Sequence, residues 1–220
     1  MSNEYEISNR NKVRQIKEKA SYDTEVVHGI LDSALLASVG FVEDCQPVVV
    51  PMLYGRDGKT IYLHGARKAR VIRLLEQTTT ACINITHIDA LVYARSAFNS
   101  SMNYRSATIF GTPSLVEGHD EKLAALRIIS EATMPGRWDE VRDSHINEVK
   151  MTGVIALTIE SASAKVSTGM PDDENEDYDI PIWAGILPLK SAFTTIETDD
   201  RIIDGVEPSD VVLAMQYKAL

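Results

Sequence analysis

The sequence predicts a mainly β protein: a closed or half-closed antiparallel barrel with a few helices packed on its periphery. Three observations carry this reading. Short β-branched or alternating apolar runs recur about seven or eight times along the chain. The first of them are joined as hairpins and do not alternate with helices, which argues against a doubly wound parallel sheet. Only three stretches show helical spacing.

The elements follow in order. Residues 1–22 are polar and mixed in charge, and read as a loosely tied N-terminal arm. Residues 23–220 read as one domain, without an internal repeat or linker. Asp23 or Thr24 can cap a helix whose apolar face is Val26, Val27, Ile30, Leu31, Ala34 and Leu35. Val39–Val42 is a short strand, Asp44-Cys45-Gln46 a turn, and Pro47–Tyr54 a β-branched run. Asp57-Gly58 is a hairpin signal, with Thr60–His64 as the returning strand. A helix over Ala69–Gln77 follows. Strands are then expected at Thr80–Thr86, Ala90–Ala97 and Arg105–Val116, with a loop at Phe98–Asn103. Glu121–Ala132 is a second amphipathic helix, stopped by Pro135-Gly136. Residues 145–151 hold a short helix, Val154–Ile159 and Ala164–Ser167 are strands, and Ile182–Leu189 is the last one.

Composition narrows the function. The net charge of −10 excludes nucleic acid as a partner of the whole molecule. No apolar run approaches the roughly 20 residues that span a bilayer, so no membrane is expected. The start, Met1 to Arg10, lacks a secretory apolar region, and the two cysteines, Cys45 and Cys82, lie in apolar stretches. A reducing, cytoplasmic location is the expectation. The charge is uneven. Arg67, Lys68, Arg70 and Arg73 form a cationic cluster, whereas Asp172–Asp179 is nearly all acidic and reads as a solvated loop, the alternative being a tail that screens or gates a basic site.

The cationic cluster is chemically odd. The strand ends at His64, Gly65 and Ala66 are small enough for a tight turn, and a helix begins near Lys68. Helix N-termini carry partial positive charge and unpaired N–H groups, so acids are the usual occupants. Here Arg67, Lys68 and Arg70 stand there instead. Two readings follow: exposed cations on a solvated helix, or a phosphate at the turn that reverses the sign of the interaction.

Several stretches then show a resemblance. They are Pro-Val-Val-Val-Pro-Met-Leu-Tyr at 47–54, Tyr-Leu-His-Gly-Ala at 62–66, Ala-Arg-Ser-Ala-Phe-Asn-Ser-Ser-Met-Asn-Tyr-Arg-Ser at 94–106 and Trp-Ala-Gly-Ile-Leu-Pro-Leu at 183–189. Met-Pro-Gly-Arg-Trp at 134–138 and Ser-Ala-Lys-Val-Ser-Thr-Gly at 163–169 add to them. Together they span about residues 25–190, and the chain resembles the pyridoxamine 5'-phosphate oxidase-like split-barrel flavoproteins, in particular the nitroimidazole-resistance (Nim-type) branch.

The resemblance implies a split barrel that forms a homodimer with flavin mononucleotide (FMN) at the subunit interface. It assigns the phosphate to the turn Ala66, Arg67, Lys68 and Arg70. It lays the backbone of Val50–Leu53, with Pro51 and Met52, along the flavin ring. It turns Tyr104, Arg105 and Ser106 towards the cofactor, packs Trp183 near the ring and sets His64 beside the reactive pocket as the catalytic candidate. Two positions depart from the family pattern: Ala69 replaces a Ser or Gly, and Asp89-Ala90-Leu91-Val92 replaces Asp-Gly-Leu-Val. Residues that would bind pyridoxal phosphate have no match, so the resemblance favours FMN over vitamin B6 oxidation.

Other candidates carry less. His28, His87, His119 and His145 have no zinc-ligand spacing, so no metal is expected. His64 or His87 could be an axial ligand if haem takes the place of flavin. Arg95 reads as half of a structural ion pair, Tyr104 and Trp183 as core aromatics by default, and Cys82 as apolar filler. Ser100 and Ser101 have no base at readable spacing. The expected function is an FMN-dependent oxidoreductase passing electrons from a reductant to a small organic acceptor; the alternative is a non-catalytic flavin or haem binding module.

Overall fold

Six strands close into a barrel in the order β7-β4-β3-β2-β5-β6, with β6 returning to β7. The structure is a computed structural model and describes residues 3–219. In chain order the elements are β1 (Ala20–Ser21), α1 (Thr24–Asp32), β2 (Leu36–Glu43), β3 (Gln46–Asp57), β4 (Thr60–Ala66), α2 (Arg70–Gln77), β5 (Ala81–Tyr93) and β6 (Ser101–Leu115). Then come α3 (His119–Thr133), α4 (Ile146–Met151), β7 (Thr152–Ser167), β8 (Gly185–Pro188) and α5 (Asp210–Leu213). All strand pairings are antiparallel. The mainly β split-barrel expectation therefore holds. No helix among the described residues is long and apolar enough to cross a membrane.

Local chemistry explains the first elements. The Asp23 carboxylate accepts from the N–H groups of Glu25 and Val26 and caps α1. Asp44 and Cys45 both have positive φ, +48° and +61°, the mirror-image turn that suits strand twist. This leaves Cys45 exposed, not within an apolar stretch as expected. Gly58, at φ +55°, supplies the next turn. Alternation does the rest: Ile61 and Leu63 on β4, Ile83 and Ile85 on β5, Ala107 and Ile109 on β6, and Ile155 and Leu157 on β7 meet inside the barrel.

Two long strands replace what the sequence divides into pairs of shorter ones. β5 runs unbroken through Asp89, where its register against β6 slips, and β7 runs through Glu160, opposite the slip between Phe110 and Gly111. A bulge inserts one residue and inverts the alternation, so one strand looks like two in sequence. The arm is also tied down. Tyr5 and Asn11 are buried, the Asn11 amide donates to the Ala162 carbonyl at 2.9 Å, and Lys19 Nζ donates to Ser167 Oγ at 2.8 Å.

The feature that positions the site is where β3 and β4 part. They pair only from Asp57/Thr60 to Tyr54/Leu63. Beyond that point β4 stays with β7 as far as Ala66, while residues 46–53 of β3 stay with β2 alone. The edge of β3 that faces the split has no strand partner among the described residues. α2 plugs the barrel here through Ile72 and Leu75, both fully buried.

Candidate functional site

The split is bordered by the residues the sequence singled out. On one side stand Pro51, exposed, and Met52, buried, on the open edge of β3. On the other, β4 ends at Ala66 and the chain turns through Arg67, Lys68 and Ala69 into α2. The turn is pinned by the Arg67 N–H donating to Met151 O at 2.7 Å and the Ala69 N–H donating to Ala66 O at 2.8 Å. The helix starts at Arg70, slightly later than expected. Its N-cap, Ala69, gives no side-chain cap, and no acid lies in the first turn. Backbone N–H groups at this end are therefore left for water or a ligand.

Gly65 serves a different purpose from the one its sequence suggests. It pairs directly with Gly153 of β7, and both face Ile72. A Cβ on Gly65 would sit 3.3 Å from Ile72 Cγ1, and one on Gly153 only 2.5 Å from Cγ2. The facing glycines let α2 seat against the sheet, which fixes where the basic turn points.

The cations at the turn are not all free. Arg67 pairs with Glu76 at 3.0 Å, and Arg70 pairs with Glu43 at the end of β2. Lys68 is exposed and makes no ion pair among the described residues. His64 lies on the opposite face of β4 from Leu63, directly across from Val154. Its Nδ1 is buried and makes no hydrogen bond. Burial pushes its pKa down, which favours the neutral ring at pH 7.

A second group of residues lies elsewhere. Tyr104, Arg105 and Ser106 are consecutive on β6, so they cannot share a face. Tyr104 and Ser106 point outward, where Ser106 Oγ meets Asn84 Nδ2 at 3.2 Å and Thr86 Oγ1 at 3.1 Å. Arg105 follows the inward set of Ala107 and Ile109 and is held by the Asp89 carboxylate at 2.9 Å. The expectation that all three face one cofactor is corrected by this alternation. Across from Arg105 stands His87, whose Nε2 contacts Ser33 Oγ at 3.1 Å. Trp183 is 69% exposed and leans on Tyr93 at 5.9 Å between ring centroids, so it is not a core residue.

Registers show how the two groups relate. Pro51, Ser38, Asn84 and Thr108 are successive direct partners and form one row across the outer face. Pro51 and Thr108 are thus about 14 Å apart across three strand spacings, with Ser106 two residues further along β6 on the same face. The basic turn lies far from Tyr104 along the strands. His64 pairs with Val154 and Tyr104 with Ser167, at opposite ends of β7 and about 40 Å apart along the strand. One chain does not bring the turn and Tyr104 together.

The acidic loop is also more than a solvated tail. Asp173 has a fully buried side chain and holds Arg95 at 3.0 Å, as the expected structural pair. Arg95 also lies 4.8 Å from the Tyr178 ring centroid. Sequence reasoning missed Glu43, Glu76 and Asp89 as partners of the site arginines. No fixed spacing joins Glu43 to Arg70 or Asp89 to Arg105, so only strand register reveals these two pairs, whereas Glu76 lies on the helix that Arg67 precedes. The Asn84 and Thr86 row had one readable signal, polar residues at every second position of a strand.

Residues 23–166 match the sequence profile of pyridoxamine 5'-phosphate oxidase. This chain belongs to that family. It is 35% identical to the flavocytochrome Anf3 from Azotobacter vinelandii over 96% of this chain and 98% of that one, with a TM-score of 0.90. It is also 35% identical to an FAD and haem binding protein from Mycobacterium smegmatis, over 90% and 98%, with a TM-score of 0.87. A structure named for 5-nitroimidazole antibiotic resistance, from Bacteroides thetaiotaomicron, is 25% identical over 67% and 86%, with a TM-score of 0.56. Within the pyridoxamine 5'-phosphate oxidase family the expected Nim-type kinship is thus the more distant one. No curated protein matches the chain.

Proposed function

We propose that this family member is a flavin-binding homodimer that acts as an oxidoreductase, with FAD as its flavin. The observation that carries the proposal is near full-length similarity, at 35% identity, to a flavocytochrome and to an FAD and haem binding protein. FAD therefore replaces FMN, the expectation from sequence. The split supports the reading: an unpartnered β3 edge at Val50–Leu53 lies across from uncapped amides and the cations Arg67, Lys68 and Arg70. Such an arrangement suits a planar ring along the strand and phosphate at the helix start.

The homodimer is favoured by two further points. The outer face exposes Leu36, Val42, Val49, Leu53, Ile88 and Met102, an apolar area that calls for a partner. Tyr104 pairs with Ser167, at the far end of β7 from the turn, so it reaches a flavin held at the turn from a second chain. The flavin, when bound, supplies the electron transfer from a reductant to a small organic acceptor. The chain's own residues bind and orient. Arg67, Lys68 and Arg70 hold phosphate, Pro51 and Met52 line the ring through their backbone, and Tyr104 and Trp183 exclude water. Neutral His64 offers a ring nitrogen at the reactive side.

A second reading, that haem is also held, is favoured by the same two relatives. A histidine that serves as axial ligand needs a free ring nitrogen. Both nitrogens of His28 are engaged, by Tyr5 and Arg56. His64 Nδ1 makes no hydrogen bond, and His87 borders a cavity of about 710 Å³ with Leu35, Leu36, Ile88 and Leu189. His87 fits the group, because its ring borders that cavity, whereas the free Nδ1 of His64 is buried and out of an iron's reach.

The test is the absorption spectrum of the purified protein. Flavin bands, with a Soret band if haem is present, are expected. A colourless protein that takes up neither on titration overturns the proposal. Arg67→Ala with Lys68→Ala should weaken flavin binding at least about tenfold. Bleaching of the flavin band by a nicotinamide nucleotide without oxygen separates an enzyme from a binding module.

A further inference from the structure

Resting on that flavin reading, we infer that Glu43 and Glu76 decide which flavin the basic turn accepts: they hold back the monophosphate of FMN and admit the diphosphate of FAD. Two of the cations at the turn are already held by acids from outside it. Glu76, from the last turn of α2, takes Arg67 at 3.0 Å. Glu43, from the far end of β2, takes Arg70, and Asp44 follows it in the hairpin turn. Lys68 and Arg73 make no ion pair among the described residues. A phosphate arriving here meets arginines already turned towards carboxylates. It must displace those carboxylates or lie beside them.

The two flavins differ in how they bear this. A phosphate monoester has a second pKa of about 6, so it carries nearly two charges at neutral pH. By Coulomb's law each neighbouring carboxylate repels it about twice as strongly as it repels a single charge. A diphosphate linkage spreads its two charges over two phosphates, so only one of them needs to lie against the carboxylates. FAD also presents an adenosine half that extends beyond its phosphates, whereas FMN ends at its phosphate. Glu43 and Glu76 therefore penalise FMN more than FAD, without either acid touching the ring.

The experiment compares the wild-type protein with Glu43→Gln/Glu76→Gln. Flavin released on denaturation is quantified by chromatography, and FAD, FMN and riboflavin are titrated by fluorescence quenching. Wild-type protein should hold FAD at least about tenfold more tightly than FMN. The double variant should bind FMN about tenfold more tightly, FAD less than about threefold more tightly, and riboflavin unchanged, so that FMN enters the purified protein. Equal wild-type affinities for the two flavins overturn the inference. So does a variant in which all three ligands gain alike, or FAD alone gains. If the double variant does not fold, Glu76→Gln alone must shift the FMN to FAD ratio in the same direction. Failure of the wild-type protein to take up any flavin removes the flavin reading itself. That result is distinct from flavin binding without discrimination, which removes only the role of the two glutamates.

Discussion

Arg95 and Arg70 each stand against a carboxylate, yet the two pairs do different things. Asp173 is fully buried and holds Arg95 through both the guanidinium and the backbone N–H, with Tyr178 against the cation. Arg70 is two-thirds exposed and meets Glu43 in water. A buried charge that loses its partner is stranded, whereas an exposed one is rehydrated at little cost. The first pair is a structural tie that fastens the acidic loop to the end of β5. The second is exchangeable, which is the property a ligand site requires.

Breaking the buried tie should have the largest effect. Asp173→Ala strands Arg95 and should lower Tm by about 10 °C in a thermal melt. An unchanged Tm would mean that the loop is not fastened there. Overpacking the seat of α2 comes next. Gly153→Ala places a methyl against Ile72 and should cost about 1–3 kcal/mol in urea unfolding. It should weaken flavin binding as well, because the basic turn rides on α2. Removing an exchangeable partner should have a small effect on stability. Glu76→Gln frees the half-exposed Arg67 and should change stability by less than about 0.5 kcal/mol, while changing the flavin preference.

The smallest effect is that of pH. Burial lowers the pKa values of His64, His28 and His87 below the ordinary histidine value. Between the lowered values and about 6.5 the unfolded chain binds more protons than the folded one, so stability rises with pH through that window and falls as pH drops below about 6.5. Urea midpoints measured at about pH 7.5 and about pH 5 should show this loss, and His64→Gln should reduce it. An equal loss in the variant would remove His64 from the account.

Much of the local structure is legible in the sequence. The Asp23 cap, the turns at Asp44-Cys45 and Gly58, and the helix after the basic turn all rest on contacts within a few residues. The strands containing Asp89 and Glu160 are not legible as single elements, because a bulge breaks the two-residue alternation that identifies a strand. The arm escapes a reading of the sequence for a related reason. Tyr5 and Asn11 are anchored by His28 and Ala162, and polar composition says nothing about such distant partners.

The candidate site divides along the same line. By itself the sequence determined that a strand ends at His64 and that cations, not acids, crowd the start of the next helix, since neighbours along the chain stay neighbours in any fold. Only the tertiary structure decided the rest. It parted β3 from β4, brought Glu43 to Arg70, turned Arg105 inward onto Asp89 and set Tyr104 at the far end of β7 from the turn. Those outcomes depend on strand register and barrel closure, which join residues far apart in sequence and leave no fixed spacing for a reader of the chain to find.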